Sequence, residues 1–184
     1  RKEHGENDHR HAELARKILS TVERAEVLIR TLKELSTSTE TKRSLQDLNG
    51  LVGKRQQILA SLLTGKYELV MRSSPESLKV IADPIKMERA LMNLVVYARD
   101  RMPRGGSVTV ATGRAVIDVD FIRRNGYGRL GTYAMVSVGD AGEGMDAAEQ
   151  ERIFEPFFTT RGDWKGSGIG LSMVYDIVKE HEGY

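Results

Sequence analysis

The chain has 184 residues, which is enough for one ordinary domain or for one domain with a small helical addition. Its 28 Lys and Arg residues nearly balance 26 Asp and Glu residues, and the net charge of +2 argues against a nucleic-acid binder held by a basic surface. Cysteine is absent, which excludes a disulfide-stapled scaffold, thiol catalysis and zinc-thiolate or iron–sulfur sites. The N-terminus does not resemble a signal peptide, and the apolar runs fall far short of the ~18–20 residues that span a membrane, so no direct membrane contact is expected.

Residues 9–36 have the pattern of one long helix. Apolar residues recur every three or four positions, at Leu14, Ile18, Val22, Ala25, Ile29, Leu32 and Leu35. A single helix cannot bury such a stripe alone, and no second long heptad run follows. The pattern therefore predicts pairing with a second copy or with a segment outside this chain. Residues 37–44 are polar without an apolar anchor, which predicts a linker.

Residues 45–184 mix helix and strand patterns. Asp83-Pro84 is a sharp helix start, because Asp is a good N-cap and Pro suits the first helical position. Glycine-bearing residues 123–131 are expected to connect two strands. The predicted strands are Tyr67–Arg72, Leu78–Ala82, Ser107–Ala115 and Thr132–Val138, and the predicted helices are Leu48–Leu63, Pro84–Arg101, 146–154 and Ile169–Glu182.

The 18 glycines cluster at 126–131, 139–144 and 162–170, and the last two groups carry candidate chemistry. In the segment Asp140–Met145, Gly142 and Gly144 allow the backbone to approach a ligand closely. The Asp140 carboxylate could accept a hydrogen bond from an amino group such as that of adenine. The same pattern is also compatible with a simple turn.

The segment Lys165–Leu171 contains three glycines and precedes a helix. Backbone amides and the helix dipole make such a start suitable for phosphates. The segment is neither a dinucleotide fingerprint, since no buried strand precedes it, nor a P-loop, since no Gly-Lys-Ser/Thr is present. A flexible loop with a helix-capping glycine is the alternative.

Asn93, Tyr97 and Asp100 share one face of the helix that begins at Pro84. An asparagine amide oxygen is a hard ligand that could hold Mg²⁺ beside a phosphate loop. A polar helix edge that contacts solvent is the alternative interpretation.

The order and spacing of these motifs resemble the catalytic ATP-binding domain of sensor histidine kinases, within the wider class of gyrase-, chaperone- and mismatch-repair-type ATPases. The resemblance covers about residues 45–182, and residues 9–36 are similar to the second helix of the family's dimerisation hairpin. The matching segments are the asparagine box Ala90–Pro103, the first glycine box Asp140–Met145, the phenylalanine box Ile153–Thr160 and the second glycine box Gly166–Leu171.

The resemblance implies a two-layer α/β sandwich with a mixed, largely antiparallel sheet, preceded by a long dimerisation helix at 1–36, a linker at 37–44 and a catalytic domain at 45–184. It implies a cytoplasmic homodimer, joined through the 9–36 helix, that uses ATP and Mg²⁺. The γ-phosphoryl group would pass to a histidine and then to an aspartate on a response regulator receiver domain.

The resemblance also assigns roles within the site. Asp140 would bind the adenine amino group, residues 155–168 would form a lid with Phe157 and Phe158 at its hinge, and Asn93 would lie beside the triphosphate and Mg²⁺. The residues expected at the nucleotide are Asn93, Asp140, Gly142, Gly144, Phe158, Thr160, Gly166, Ser167, Gly168, Ile169, Gly170 and Leu171.

The sequence departs from the family pattern at the metal. Tyr97 stands where the family has a second asparagine, its principal protein ligand for Mg²⁺, and Arg101 occupies a usually small position. A neutral phenol is a poor metal ligand, since its ordinary pKa is about 10. We therefore expect weak or absent Mg-ATP binding, with ADP and adenosine less affected.

The phosphoacceptor box is not found at any of the four histidines, His4, His9, His11 and His181, so the acceptor is expected upstream of residue 1. The family continues beyond Tyr184 with a strand pair, so a fragment is expected. Two alternatives remain open. A degenerate, non-catalytic module for dimerisation or interaction is favoured by Tyr97. An ATPase of the gyrase or mismatch-repair type would need a glutamate base at the position of Asn93, which disfavours it.

Overall fold

The computed structural model describes residues 41–159 and 168–184. The predicted helix at 9–36, the first half of the predicted linker (37–40), and residues 160–167 lie outside these ranges. Ser44, the last residue of the predicted linker, begins the first strand.

Helices and strands alternate irregularly along the described chain. The strands are β1 (Ser44–Asp47), β2 (Tyr67–Arg72), β3 (Lys79–Ala82), β4 (Gly106–Ile117) and β5 (Gly131–Asp140). The helices are α1 (Leu48–Gly53), α2 (Gln56–Ser61), α3 (Pro84–Asp100), α4 (Val119–Asn125), α5 (Ala147–Arg152) and α6 (Gly170–Glu180).

The strands form two small sheets. In the three-stranded sheet β4 is central, β2 runs parallel to it and β5 antiparallel, with Val110 opposite both Met71 and Val138. In the two-stranded sheet β1 and β3 are antiparallel, with Leu45 opposite Ile81. Antiparallel pairs therefore predominate in a mixed arrangement, as predicted for the two-layer α/β class.

Helix α3 occupies the centre of this architecture. It begins where Asp83 caps it, because the Asp83 carboxylate accepts hydrogen bonds from the backbone N–H groups of Ile85 (2.9 Å) and Lys86 (3.2 Å). Leu91 and Val95 are almost fully buried in the main core together with Val108 and Val110 of β4. Burial of this apolar face against the sheet fixes the position of the helix.

A second, smaller core joins α3 to α6. Ala90 of α3 packs with Leu171, Val174 and Ile177 of α6. Helix α3 therefore contacts the sheet on one side and α6 on the other, and its polar residues lie between these two faces.

Two sequence predictions are corrected by the structure. The single helix predicted from Leu48 to Leu63 is two short helices, α1 and α2, because Gly53 is a poor helix former and the next turn tightens into a bond from the Arg55 N–H to the Val52 carbonyl. The connection before β5 contains α4, which Asp118 caps through the Phe121 N–H (2.7 Å) and Gly126 ends with a φ of 75°.

Candidate nucleotide-binding site

The first half of the candidate site lies where α3 meets the start of α6. Gly170, the first residue of α6, lies against Asn93, and a Cβ placed on Gly170 would stand 3.8 Å from the Asn93 Cβ and Cγ atoms. The Asn93 Nδ2 atom is buried and finds no hydrogen-bond partner in the described part of the chain. A buried amide without a partner is unusual in a folded protein, and a ligand oxygen could supply the missing acceptor.

The start of α6 is suited to an anion. Ile169 stands at the N-cap and has no polar side chain with which to cap the helix, while the Ser172 hydroxyl donates to the Ile169 carbonyl (2.8 Å). An 11-residue helix whose first turn lacks a side-chain acceptor presents backbone N–H groups and the positive end of its dipole. Ile169 and Leu171 are themselves buried, so any contact they make with a nucleotide runs through their backbone.

The second half of the site follows β5. The Gly142 N–H donates to the Asp140 carboxylate (2.8 Å), which turns the chain immediately after the strand. A Cβ on Gly142 would stand 2.7 Å from this carboxylate oxygen and 2.9 Å from the Arg101 carbonyl oxygen, so no side chain fits there. Gly144 has a φ of 76°, which glycine adopts without strain.

Phe157 and Gly168 join the two ends of the glycine-rich loop. The Phe157 N–H donates to the Gly168 carbonyl (2.9 Å), and a Cβ on Gly168 would lie 2.6 Å from the Phe157 carbonyl carbon. Phe157, expected to pack at the hinge, is 62% exposed and adopts a φ of 67°, so its backbone makes the contact. The Phe158 ring instead lies under the Arg152 guanidinium, 4.6 Å away. Thr160, Gly166 and Ser167 lie outside the described residues.

Tyr97 and Arg101 connect the two halves of the site. The Arg101 Nη1 donates to the Tyr97 hydroxyl (3.3 Å), and this hydroxyl donates to the Met145 Sδ (3.5 Å). The Arg101 Nη2 lies 3.6 Å from the Glu149 Oε2, and both side chains are largely buried. Burial raises the pKa of the Tyr97 phenol, although the charge of Arg101 and its hydrogen bond oppose the rise, so the phenol is neutral at ordinary pH.

Asp100 takes no part in this network. Its spacing predicted one helix face shared with Asn93 and Tyr97, but in the structure Asp100 pairs with the neighbouring Arg99 at 2.8 Å. The Arg101–Glu149 pair was not anticipated, and no spacing rule could have found it, because the two residues lie on elements far apart in the sequence.

The residues present fit a magnesium ion only in part. Mg²⁺ needs near-octahedral oxygen ligands at ~2.0–2.1 Å. Asn93 could offer an amide oxygen, but the Tyr97 hydroxyl is neutral and already bonded to Arg101 and Met145. Residues 41–159 and 168–184 contain no group of three or more His, Asp and Glu residues that could hold a metal.

Comparison with protein families identifies the class. Residues 82–184 match the family described as histidine kinase-, DNA gyrase B- and HSP90-like ATPases. This match spans more than half of the chain, so the chain belongs to that family, and the predicted kinship with sensor histidine kinases is confirmed.

Individual relatives are sensor kinases. The chain is 36% identical over 169 residues to Sensor kinase CckA of Brucella abortus, covering 91% of this chain and 18% of that protein. It is 30% identical over 172 residues to Sensor histidine kinase ZraS of Klebsiella oxytoca, covering 93% of this chain and 34% of that protein. This chain thus spans between about a fifth and a third of the length of these relatives.

A solved structure confirms the fold class. Histidine kinase ThkA in complex with response regulator protein TrrA superimposes with a TM-score of 0.59 at 20% identity, covering 89% of this chain and 42% of that chain. Within the described ranges, none of the helices is both long and apolar enough to cross a membrane.

Proposed function

We propose that this chain is the ATP-binding catalytic part of a two-component sensor histidine kinase. The observation that carries the proposal is the meeting of Asn93, with its unpartnered buried amide, and the uncapped start of α6, within a chain that belongs to the ATPase family. A triphosphate bound at the helix start would offer Asn93 the acceptor that it lacks. The adenine amino group would then bind Asp140, beside the close backbone turn at Gly142.

The complete reaction would require segments beyond the described residues. We propose that the γ-phosphoryl group passes to a histidine upstream of residue 1 and then to an aspartate of a response regulator, and a regulator accompanies the structural relative ThkA. The dimer would form through residues 9–36, with residues 37–44 as the linker and 45–184 as the catalytic domain, on the cytoplasmic side. Phosphoryl transfer of this kind depends mainly on positioning and charge neutralisation.

His181 is not suited to be the phosphoacceptor. Its Nδ1 lies 2.6 Å from the Ile177 carbonyl, to which it donates, and its Nε2 accepts from the Asp83 N–H at 2.9 Å. The Nδ1 bond lies within α6 and the Nε2 bond holds the end of α6 to the start of α3, so both ring nitrogens are engaged and neither is left as a nucleophile. This arrangement supports an acceptor elsewhere.

Nucleotide binding tests the proposal directly. We expect the purified chain to bind a fluorescent ATP analogue that ADP and adenosine displace. Asp140→Ala should weaken all three ligands by about tenfold, the effect of losing one charge-assisted hydrogen bond. Asp120→Ala is the matched control, since Asp120 is exposed on α4. Equal affinity in the Asp140 variant and the unchanged chain would contradict the assignment of the adenine end.

The second candidate is a non-catalytic interaction module. It is favoured by the Tyr97–Met145 contact, which joins α3 to the segment after β5 across the candidate site. This reading predicts a dimer that binds no ATP, ADP or adenosine at millimolar concentration. Binding of any of the three would reject it.

A further inference from the structure

We propose that this site binds nucleoside di- and triphosphates without a divalent cation, and that the Arg101 guanidinium supplies the positive charge in place of the metal. The inference rests on the proposed nucleotide site and deepens it by naming the ionic form of the ligand. It concerns Tyr97, Arg101 and the residues that they contact, all of which lie in the described part of the chain.

The first step is that Tyr97 keeps a metal away. Its hydroxyl oxygen accepts from the Arg101 Nη1 at 3.3 Å and donates to the Met145 Sδ at 3.5 Å. A Mg²⁺ bound to this oxygen at the usual ~2.1 Å would stand within roughly 5 Å of the guanidinium nitrogen. At Tyr97 a divalent cation would therefore find a neutral phenol oxygen where a carboxylate or amide oxygen would be a better ligand. It would also be repelled by the fixed positive charge of Arg101.

The second step is that Arg101 lies on the correct side of α3. Asn93, Tyr97 and Arg101 follow each other at intervals of four residues and so share one helix face. Asn93, at one end of this row, contacts Gly170 at the anion-binding start of α6. The Arg101 carbonyl, at the other end, lies against Gly142 in the segment that follows Asp140. The row therefore runs from the proposed phosphate end to the proposed adenine end of the site. The Arg101 side chain runs back along this row from the adenine end, and its guanidinium lies beside the Tyr97 hydroxyl, between the two ends.

The third step is that Arg101 is held loosely enough to change partner. Its Nη2–Glu149 distance of 3.6 Å is longer than the ~2.7–2.9 Å of a charge-assisted hydrogen bond. The same Glu149 oxygen also accepts from the Asp146 N–H (3.3 Å) in the cap of α5, so it is shared. A phosphate oxygen offers a guanidinium stronger, bidentate hydrogen bonds. A bound phosphate would thus replace Glu149 as the partner.

Calorimetry of the chain in EDTA and in excess Mg²⁺ tests the proposal. We expect the same ATP affinity in both buffers. In EDTA, Arg101→Ala should weaken ATP by about tenfold and leave adenosine unchanged, because only the phosphate contact is lost. Arg101→Lys should recover part of the affinity because it restores the charge. Arg123→Ala removes an exposed arginine from α4 and serves as the control for net charge.

A double variant tests whether ATP binding can be made dependent on Mg²⁺. Tyr97→Asn combined with Arg101→Ala supplies an amide oxygen and removes the guanidinium, so ATP binding should become dependent on Mg²⁺ by about tenfold. Thermal melts identify variants that fail to fold. If an Arg101→Ala variant fails to fold, Arg101→Met replaces it, because methionine keeps the aliphatic part of the side chain.

Three outcomes would overturn the inference. The first is that the unchanged chain binds ATP much more weakly in EDTA than in Mg²⁺. The second is that the Arg101 variants bind ATP as tightly as the unchanged chain, and the third is that the double variant binds ATP equally well with and without Mg²⁺. After any of these outcomes the proposed nucleotide site is still supported if adenosine binds to the chain and Asp140→Ala weakens that binding. Absence of all nucleotide binding would reject both proposals.

Discussion

At the scale of single residues, Gly142 is a position where the site has no room for a side chain. Its Cα lies against the Asp140 carboxylate and the Arg101 carbonyl, so the turn after β5 and the last turn of α3 approach each other only because no side chain intervenes. The glycine pattern predicted a close approach of the backbone to a ligand here. The close approach of this turn to the end of α3 was not predicted and became known only from the structure.

Gly142→Ala should lower both stability and nucleotide affinity, because the new methyl group would stand 2.7–2.9 Å from two oxygen atoms. We expect a loss of about 1–3 kcal/mol in the free energy of unfolding, as for other overpacked sites. Gly139→Ala is the control, since a Cβ on Gly139 meets nothing within 4 Å. Urea denaturation of the two variants measures the difference, and equal stabilities would show that the turn is more adaptable than its geometry indicates.

Asp83 is a residue whose charge stabilises the fold. Burial alone would raise its pKa, but the N–H groups of Lys86, Ile85 and Lys42 donate to the carboxylate and lower its pKa overall. A carboxylate with a lowered pKa in the folded state contributes stability above its unfolded pKa of about 3.9 and loses that contribution as the pH falls through the folded pKa.

Asp83→Ala should therefore cost about 1–2 kcal/mol of unfolding free energy at pH 7, the usual effect of removing a helix N-cap. The difference from the unchanged chain should shrink as the pH falls below about 4, where the unfolded state begins to bind the proton, and its charge-dependent part should be lost below the folded pKa, where the carboxyl group is protonated in both states. Urea titrations at several pH values measure this, with Asp176→Ala on the exposed face of α6 as the control. A difference that stays constant down to pH 3 would contradict the role of the charge.

At the scale of secondary-structure elements, Gly168 and Gly170 belong to the same sequence motif but differ in whether the backbone at the start of α6 requires a glycine. Gly168 has a φ of 65°, and a Cβ placed on it would stand 2.6 Å from the Phe157 backbone, whereas Gly170 is helical and has room for a methyl group beside Asn93. One glycine is required by the backbone and the other is not. Any requirement for glycine at 170 must then come from a ligand.

Gly170→Ala should keep or slightly raise stability, by about 0.5–1 kcal/mol, because alanine is the better helix former. The same variant should weaken ATP while leaving the fold intact, since its methyl group would stand at the proposed phosphate position. Gly168→Ala should instead destabilise the protein. Melting temperatures and ATP titrations of both variants give the comparison, and full ATP affinity in Gly170→Ala would argue against phosphate at the start of α6.

Helix starts were the most predictable features of the elements. Asp83-Pro84 and the Asp146–Glu149 capping box are local sequence signals, and each begins a helix in the structure, with the Glu149 N–H donating to the Asp146 carboxylate at 2.8 Å. Helix α4 carries the same kind of signal, Asp118 before it and Gly126 after it, but the glycines around it indicated a loop. The break between α1 and α2 depends on a tightened turn that apolar periodicity does not reveal.

At the scale of the whole molecule, an aromatic cluster joins the connection before β5 to α6 and to the end of the chain. The Lys179 ammonium lies 5.0–5.8 Å from the ring centres of Tyr127, Tyr175 and Tyr184. Tyr127 and Tyr184 also stack at 6.2 Å. A single cation thus connects three separate parts of the fold.

Lys179→Ala should lower the melting temperature by about 2–4 °C, which corresponds to about 1 kcal/mol for cation–π contacts at a partly exposed site. Lys179→Arg should retain most of the stability, because a guanidinium also attracts aromatic faces. Lys54→Ala is the control, since Lys54 is an exposed lysine. If the arginine and alanine variants melt alike, the rings stabilise the fold without the cation.

Residues Thr41–Arg43 form hydrogen bonds with both α3 and α6. The Lys42 N–H donates to Asp83 (2.9 Å), Lys86 pairs with Glu180 (2.6 Å), and Arg43 donates to the Glu180 carbonyl. The start of α3 and the end of α6, which lie away from the proposed phosphate position, are therefore joined both directly, by the Lys86–Glu180 pair, and through Lys42 and Arg43.

The sequence by itself determined the class of the protein, the order of its motifs and the starts of its main helices. These features depend on side chains within a turn or two of each other, so local chemistry is sufficient. Only the tertiary structure decided that β4 lies between β2 and β5, that Asn93 meets Gly170, and that Arg101 pairs with Glu149. Those contacts join residues far apart in the chain, and burial of the two apolar faces of α3 brings them together. The sequence marked Tyr97 and Arg101 as departures from the family, and the fold placed Glu149 beside the Arg101 guanidinium.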